Sequence, residues 1–438
     1  MRKVEKPPFV DGKWEYGQLL KEFPVGKFTE FIQINESSYP YWEKWKYLAK
    51  DWGYDPKKLW SVVKTYRRPK KEIKFFGLDG FHMHINTPSI MQQQLHELDL
   101  NLGGSLNTSD LIPTEEKQRY LVSSLMEEAI ASSQLEGAAT TRKIAKEMLK
   151  NNRKPRNLSE QMIVNNYEVM QWIVKNKNAT LTPDLILGIH HIIANNTLIE
   201  KEEEGAFRKT DDVRVIDVQT GAILHTPPSH EHLENLMKEL CVFANDGHKE
   251  DFFLHPISKA ISIHFLIGYI HPFADGNGRT ARALFYWYLI KKGYWLIEYM
   301  SVSRIILGSK AQYARVYQYT EFDENDLTYF ILYNLKAISR ALDELKKYIE
   351  RKNLEKKNIL SLLRDTDYND RQLVLLQELL HDKKNTYTVP EIQIRFGVSN
   401  QTARNDLNHL VAKGILQPRK TGNRIHFLLA EGGEKKIV

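Results

Sequence analysis

The stretch HPFADGNGRTAR, residues 271–282, places a histidine, a carboxylate, two glycines around an asparagine and two arginines close together. A core segment built this way would desolvate two cations and lose backbone entropy at its glycines for no gain. Chemistry on an anion explains the set better. In Gly276-Asn277-Gly278 successive backbone N–H groups can converge on one point, and a following helix adds unpaired N-terminal donors and partial positive charge. Arg279 then stands where the helix dipole disfavours a cation, and Arg282 follows one turn later on the same face. An anionic ligand removes both objections. Each guanidinium can take two phosphate oxygens at once, so two arginines and a glycine cradle suit a polyphosphate.

Asp275 beside such a cradle would repel phosphates unless a divalent cation bridged them, and Mg2+ commonly takes one carboxylate together with phosphate oxygens. His271 is the one group here whose ordinary pKa lets it accept a proton near neutral pH. A lone histidine in an apolar stretch is more often a core residue. Next to a metal-bound polyphosphate it reads as a base that activates a hydroxyl to attack phosphorus. The natural ligand of the whole set is a nucleotide with Mg2+.

The loop needs rigid neighbours. Residues 255–270 form the most apolar helical pattern of the chain and 279–294 form another, so the loop joins two buried helices, which suits a site. A further helix starts near Thr114 and stops at Gly137, and others are expected around 158–176, 182–196 and 229–245. Between them, residues 213–228 read as a short hairpin: Val213, Val215 and Val218, a turn at 219–221, then Ala222, Ile223 and Leu224, stopped by Pro227 and Pro228.

The chain has 438 residues and a mass of 51.2 kDa, enough for several domains. One cysteine, Cys241, leaves no internal disulfide and no thiolate metal cluster. The lack of a long apolar run or a leader-like start gives the expectation of a cytoplasmic protein without membrane contact. Trp42, Trp45, Trp52 and Trp60 lie among lysines in the first hundred residues; a small aromatic core is favoured there over a base-stacking surface. From His381 to Val438, ten basic residues face five acidic ones, an excess of five within the chain's net +7.

Every fixed position of HPFADGNGRTAR matches the pattern HPFx[D/E]GNGRxxR, and the chain from about 115 to 345 resembles the core of the Fic-domain family, with Gly205 to Arg208 as G-x-x-R and Asp326-Leu327-Thr328 near the end. The resemblance implies a mainly α fold: a Fic-type helical core with a β-hairpin flap. It also implies adenylyl transfer from ATP to a Tyr, Thr or Ser hydroxyl of a target protein, the GNGR cradle favouring nucleotidyl transfer over the phosphorylation carried out by Doc-type relatives. By that analogy His271 is the general base and Asp275 holds Mg2+. Asn277 and the amides of Gly276 and Gly278 hold the α- and β-phosphates. Arg279 lies on the phosphates, Arg282 takes the γ-phosphate, and Phe273 anchors the loop. Gln312 and Tyr313 mark the helix beside the adenine slot, with Tyr313 as a nucleotide contact. The hairpin, through Val213, Val215, Ile223 and Leu224, becomes the flap on which the target adds a strand.

Ser132-Ser133-Gln134-Leu135-Glu136-Gly137 fits the inhibitory pattern [S/T]xxxE[G/N] of the same family. Ser132 and Glu136 share a helix face at four-residue spacing, so Glu136 can pair with Arg282 and withhold it from ATP. The tail, 387–429, resembles a winged helix-turn-helix, with Gln401, Thr402, Arg404 and Asn405 facing a major groove and Arg419, Lys420 and Arg424 on a wing. Three regions are expected: 1–110, mainly helical and of unknown role; 111–350, the core with its inhibitory helix; and 351–438, the winged helix. DNA or protein as the tail's partner, a homodimer, a nucleotide-sensing regulator, another transferred group, and removal rather than addition of AMP all stay open.

Overall fold

The structure, a computed structural model, describes residues 3–10, 21, 23–24, 26–68, 71–74, 82–103, 117–217, 220–245, 253–363, 368–421 and 424–436. Residues 1–345 form one compact unit and 346–438 another. Among the described residues no helix is long and apolar enough to cross a membrane.

The first unit opens with helices α1 (Phe28–Ser38), α2 (Trp42–Asp51) and α3 (Pro56–Tyr66), the antiparallel pair β1 (Lys71–Lys74) and β2 (His82–Ile85), and α4 (Ser89–Leu102). Trp42, Trp45 and Trp60 are buried with Phe31, as expected of an aromatic core. These elements do not form a separate unit; they dock on residues 323–329. Tyr39 donates to Asp326 Oδ2 at 2.6 Å, Lys64 to Asp323 Oδ1 at 2.6 Å, and the amide of Asn86 to Thr328 Oγ1 at 2.8 Å. The backbone of His84 bonds that of Asn325 and Leu327 on either side. Asp326-Leu327-Thr328 is thus the socket for the N-terminal region, held open by the left-handed backbone of Glu324 and Asn325.

Next come α5 (Lys117–Leu135), α6 (Arg142–Lys150), α7 (Leu158–Lys175), α8 (Pro183–Ala194), the hairpin β3 (Val215–Ile216) and β4 (Ile223–His225), α9 (Leu233–Ala244), α10 (Pro256–Ile270), α11 (Asn277–Lys291), α12 (Val302–Leu307), α13 (Lys310–Phe322) and α14 (Thr328–Leu363). Capping explains the starts: Asn157 and Thr182 each accept from the third residue of the helix they precede, and His255 from Ile257, with proline at the first turn of α8 and α10. α10 is apolar nearly all round, α11 is apolar from Ala283 to Ile290, and both are buried, so they sit at the centre. α5, α7 and α8 pack around them.

The hairpin is shorter than its sequence suggests. Val213 precedes β3 instead of lying in it, Val218 and Gln219 fall outside the described residues, and the register shifts between Val215 and Ile216. The start expected near Thr114 also falls outside them.

The second unit holds α15 (Asp370–His381), β5 (Thr386–Tyr387), α16 (Val389–Phe396), α17 (Asn400–Ala412), β6 (Leu416–Thr421) and β7 (Arg424–Leu429), with the sheet in the order β5-β7-β6. Ser399 caps α17, and Ala403, Leu407 and Leu410 are its buried stripe. Asp406 is buried too, held by Arg371 and Asn369.

The buried Arg67 ties this docking together. It donates to Asn35, to the Pro40 carbonyl and to Tyr329, and lies 3.6 Å from the centre of the Tyr39 ring. Arg67→Ala leaves those acceptors unpaired around a cavity, and is expected to cost about 3 kcal/mol, read as a lower urea midpoint for the first unit. An unchanged midpoint would refute the anchor.

Candidate active site

The site is built where α10 ends. His271 closes that helix with its amide on the Ile267 carbonyl and its backbone in the left-handed region (φ 50°). Its Nδ1 lies 3.1 Å from the Gly268 carbonyl. A carbonyl only accepts, so Nδ1 carries the hydrogen and Nε2 keeps the lone pair. Burial pushes the imidazole pKa below its ordinary value; the Gly268 bond and Glu136 oppose this, while His225 and Arg208 add to it. The ring is therefore neutral, with Nε2 as its basic atom.

Five residues on, Gly276 adopts φ 82° and starts α11, a turn that a side chain would strain. Asn277 is the first residue of α11. Its side chain is buried and closes on its own loop, Oδ1 accepting from the Phe273 amide at 2.9 Å and Nδ2 donating to the Phe273 carbonyl at 2.8 Å. These bonds shape the cradle, since a short polar side chain at this spacing meets the preceding backbone first.

Arg279 is wholly buried. It donates to the Ile193 carbonyl and to Asp275 Oδ2, each at 3.0 Å, while the Asp275 side chain is more than half exposed. Arg282 is buried one turn later, with Nε on Ser132 Oγ at 2.8 Å and Nη2 on both the Ser132 carbonyl, at 2.9 Å, and Glu136 Oε1, at 2.8 Å. Ser132, Glu136 and Arg282 thus come together across 146 residues of chain. Burial alone would raise the Glu136 pKa, but Arg282, then Arg279 and Lys310, outweigh it and hold the carboxyl below its usual range. The carboxylate also covers the cradle: a Cβ placed on Gly278 would collide with Glu136 Oε1.

Tyr313 lies on this arginine side. Its hydroxyl is 2.8 Å from His264 Nε2, and it faces the charges of Arg282 and Glu136. That places its polar end beside the second arginine. Ile216 and Ile223 of the hairpin are exposed, Val215 and Leu224 half-buried.

Three supporting residues escaped sequence reasoning. His190 stacks on Phe273, 3.7 Å between ring centres and nearly parallel. It accepts from the Gly205 amide at Nδ1, so Nε2 donates to the Asp275 carbonyl at 2.9 Å. Arg208, recognised only as part of G-x-x-R, donates to the carbonyls of His271, Thr210 and Pro228 and to Asp211. Glu128, buried on α5, accepts from Tyr286, Ser301 and Ser303 and so ties α5 to α11 and α12. Glu128, Ser132 and Glu136 recur every four residues along α5 and the turn after it, a row that was legible in principle. His190, on the apolar face of α8, carried no such signal.

In the second unit Gln401, Arg404, Asn405 and Asn408 are exposed along one stretch of α17, Thr402 is half-buried, and Gln401 donates to Asn405. Arg419 and Lys420 are exposed on β6. Gly422, Asn423 and the side chain of Arg424 lie outside the described residues.

A histidine at a helix end, an exposed carboxylate and two buried arginines at the next helix N-terminus thus meet in one place. Residues 180–289 match the model of the Fic/DOC family, and residues 371–424 that of the DeoR-like helix-turn-helix domain. Residues 180–289 thus match a Fic-type domain and residues 371–424 a helix-turn-helix that follows it in the chain. The chain is 30% identical over 169 residues to the protein adenylyltransferase Fic of Aedes aegypti, covering 38% of this chain and 30% of that one. To the namesake of Nematostella vectensis it is 38% identical over 120 residues, covering 27% and 25%. The matches therefore span a third or less of these curated relatives. A Fic family protein of Desulfovibrio desulfuricans G20 has the same fold, with a TM-score of 0.50 at 19% identity, covering 78% of this chain and 95% of that one.

His190 gives the site a pH dependence. Burial is the main cause that lowers its pKa from 6.5 to about 4. Between those values the unfolded chain binds a proton that the folded one does not, so the stability held above pH 6.5 is lost as pH falls toward 4. We expect the urea midpoint of the first unit to drop over that window, and His190→Asn to flatten the drop. An equal drop in the variant would disprove the assignment.

Proposed function

We propose that the chain is a protein adenylyltransferase restrained by its own Glu136. The observation that carries this reading is the neutral His271, its tautomer fixed by Gly268 so that Nε2 can take a proton, placed just before an anion cradle. In the proposed reaction Nε2 removes the proton of a target Tyr, Thr or Ser hydroxyl. That oxygen then bonds the α-phosphorus of ATP, the bond from this phosphorus to the bridging oxygen breaks, and pyrophosphate leaves. Arg282 and the first amides of α11 balance the charge of the phosphates. Arg279 Nε is buried without a partner among the described residues, as suits a donor whose acceptor arrives with a ligand. Asp275 fits Mg2+, which needs few protein ligands, because its carboxylate is accessible beside the cradle. When bound, Mg2+ supplies further neutralisation of phosphate charge. The hairpin, with its exposed Ile216 and Ile223, is the surface on which the target strand docks.

The brake follows from occupancy. While Glu136 holds Arg282 and covers Gly278, the terminal phosphate of ATP lacks both its cation and its space. Incubation with ATP and Mg2+ should therefore leave the wild type nearly unmodified, while Glu136→Gly gains the mass of AMP and Glu136→Gly with His271→Ala gains none. Equal incorporation by wild type and Glu136→Gly would remove the brake. Incorporation that survives without His271 would remove the base, and would favour a nucleotide sensor that needs none.

The second unit supports a further partner. Its match to a DeoR-like helix-turn-helix, the exposed polar row on α17 and the basic wing favour duplex DNA. Binding followed by fluorescence anisotropy should weaken steeply as salt rises, with Lys420→Ala reducing the logarithmic slope by about one. No binding at low salt would exclude DNA.

A further inference from the structure

The end of α5 leaves four carbonyls without partners inside the helix. The chain's own turn closes two of them: the Ala138 amide returns to Ser133 and the Gly137 amide to Gln134, with Gly137 in the left-handed region (φ 97°) that this stop requires. Arg282 takes the carbonyl of Ser132. The last, Leu135, is taken from outside the helix by Lys310, whose Nζ lies 2.6 Å from it. Leu135 directly precedes Glu136, and the charge of Lys310 is felt at the Glu136 carboxylate.

Lys310 is well placed to hold something still. It is the first residue of α13. The preceding Ser309 is fixed by its hydroxyl to Tyr333 on α14, at 2.7 Å, and to the Ile305 carbonyl. The helix before it, α12, is bound through Ser303 to Glu128 on α5 itself. The body of α5 and the base of the lysine thus belong to one rigid frame, and the lysine reaches across it to the final turn. A cation at a helix C-terminus is also favoured by the dipole.

We propose that Lys310 is a positioning residue for the brake: by clamping the Leu135 carbonyl it fixes the turn that carries Glu136 over the cradle. This rests on the adenylyltransferase reading. When a phosphate competes for Arg282, the Ser132 carbonyl loses its external donor, and Lys310 keeps its hold on the last carbonyl of the helix, beyond Ser133, whose hydroxyl donates to the Met162 carbonyl. Losing the lysine lets the turn fray and lowers the occupancy of Glu136 at Arg282.

The test compares the full chain with Lys310→Met, Lys310→Arg, Glu136→Gly and the double variant Lys310→Met with Glu136→Gly. Two readouts are taken: amide hydrogen exchange at 137 and 138, and AMP incorporation by intact mass with ATP and Mg2+. Lys310→Met should speed exchange at both amides and raise incorporation about three- to fivefold over wild type. Lys310→Arg should restore both, and the lysine change should add nothing in the Glu136→Gly background. Exchange and incorporation equal to wild type in Lys310→Met overturn the clamp, as does an equal gain in the Glu136→Gly background. An inactive Glu136→Gly chain counts against adenylylation alone; exchange, which needs no turnover, then decides the clamp.

Discussion

The Arg282 guanidinium is the constraint on which the first unit depends. A buried cation is tolerated only when charge and hydrogen bonds surround it. Here the serine, its carbonyl and the glutamate of α5 do so, with Tyr313 and Glu128 adding to the field. The end of α5 must therefore lie against the start of α11, and its buried neighbours follow from that. Glu128, two turns earlier, is the second nail. Because α5 is fixed along its length, a change at Glu136 is confined to the last turn and does not require the helix to leave.

The same economy appears around the loop. His190, Arg208 and Asn277 each send at least one hydrogen bond to backbone atoms of residues 271–275, so the loop's shape is set before any ligand arrives. Side chains that face a ligand can then be few. Helix α13 links this region to others: Tyr313 and Tyr317 turn toward the arginine, Glu321 bonds His225 of the hairpin, and Arg315 bonds Glu43 of the N-terminal region.

What the sequence made legible was local. The spacing within 271–282 placed a base, a carboxylate and two arginines in one loop because all of them lie within a helical turn or two of each other. Ser132 and Glu136 were readable as a pair for the same reason. The helical core and the terminal helix-turn-helix were readable from apolar period, caps and stops. The residue that stacks under the loop was not, since His190 acts over 85 residues and sits where an apolar helix would hide an inert polar group. Asn277 was seen but its bonds to Phe273 were not, because nothing in residue type separates a side chain that binds a ligand from one that binds its own backbone. The N-terminal hundred residues could be read as an aromatic core but not as a partner of Asp326 and Thr328.

His271 carries two duties that the chain has not separated. Its backbone stops α10 in a conformation that costs most residues about 1 kcal/mol, and its ring presents the basic nitrogen. Histidine, asparagine and aspartate are among the side chains that enter this region most readily. Relatives that abandoned the chemistry but kept the helix stop would be expected to carry asparagine there sooner than alanine. The geometry of the stop thus narrows the ways in which this position can change over time, independently of what the imidazole does.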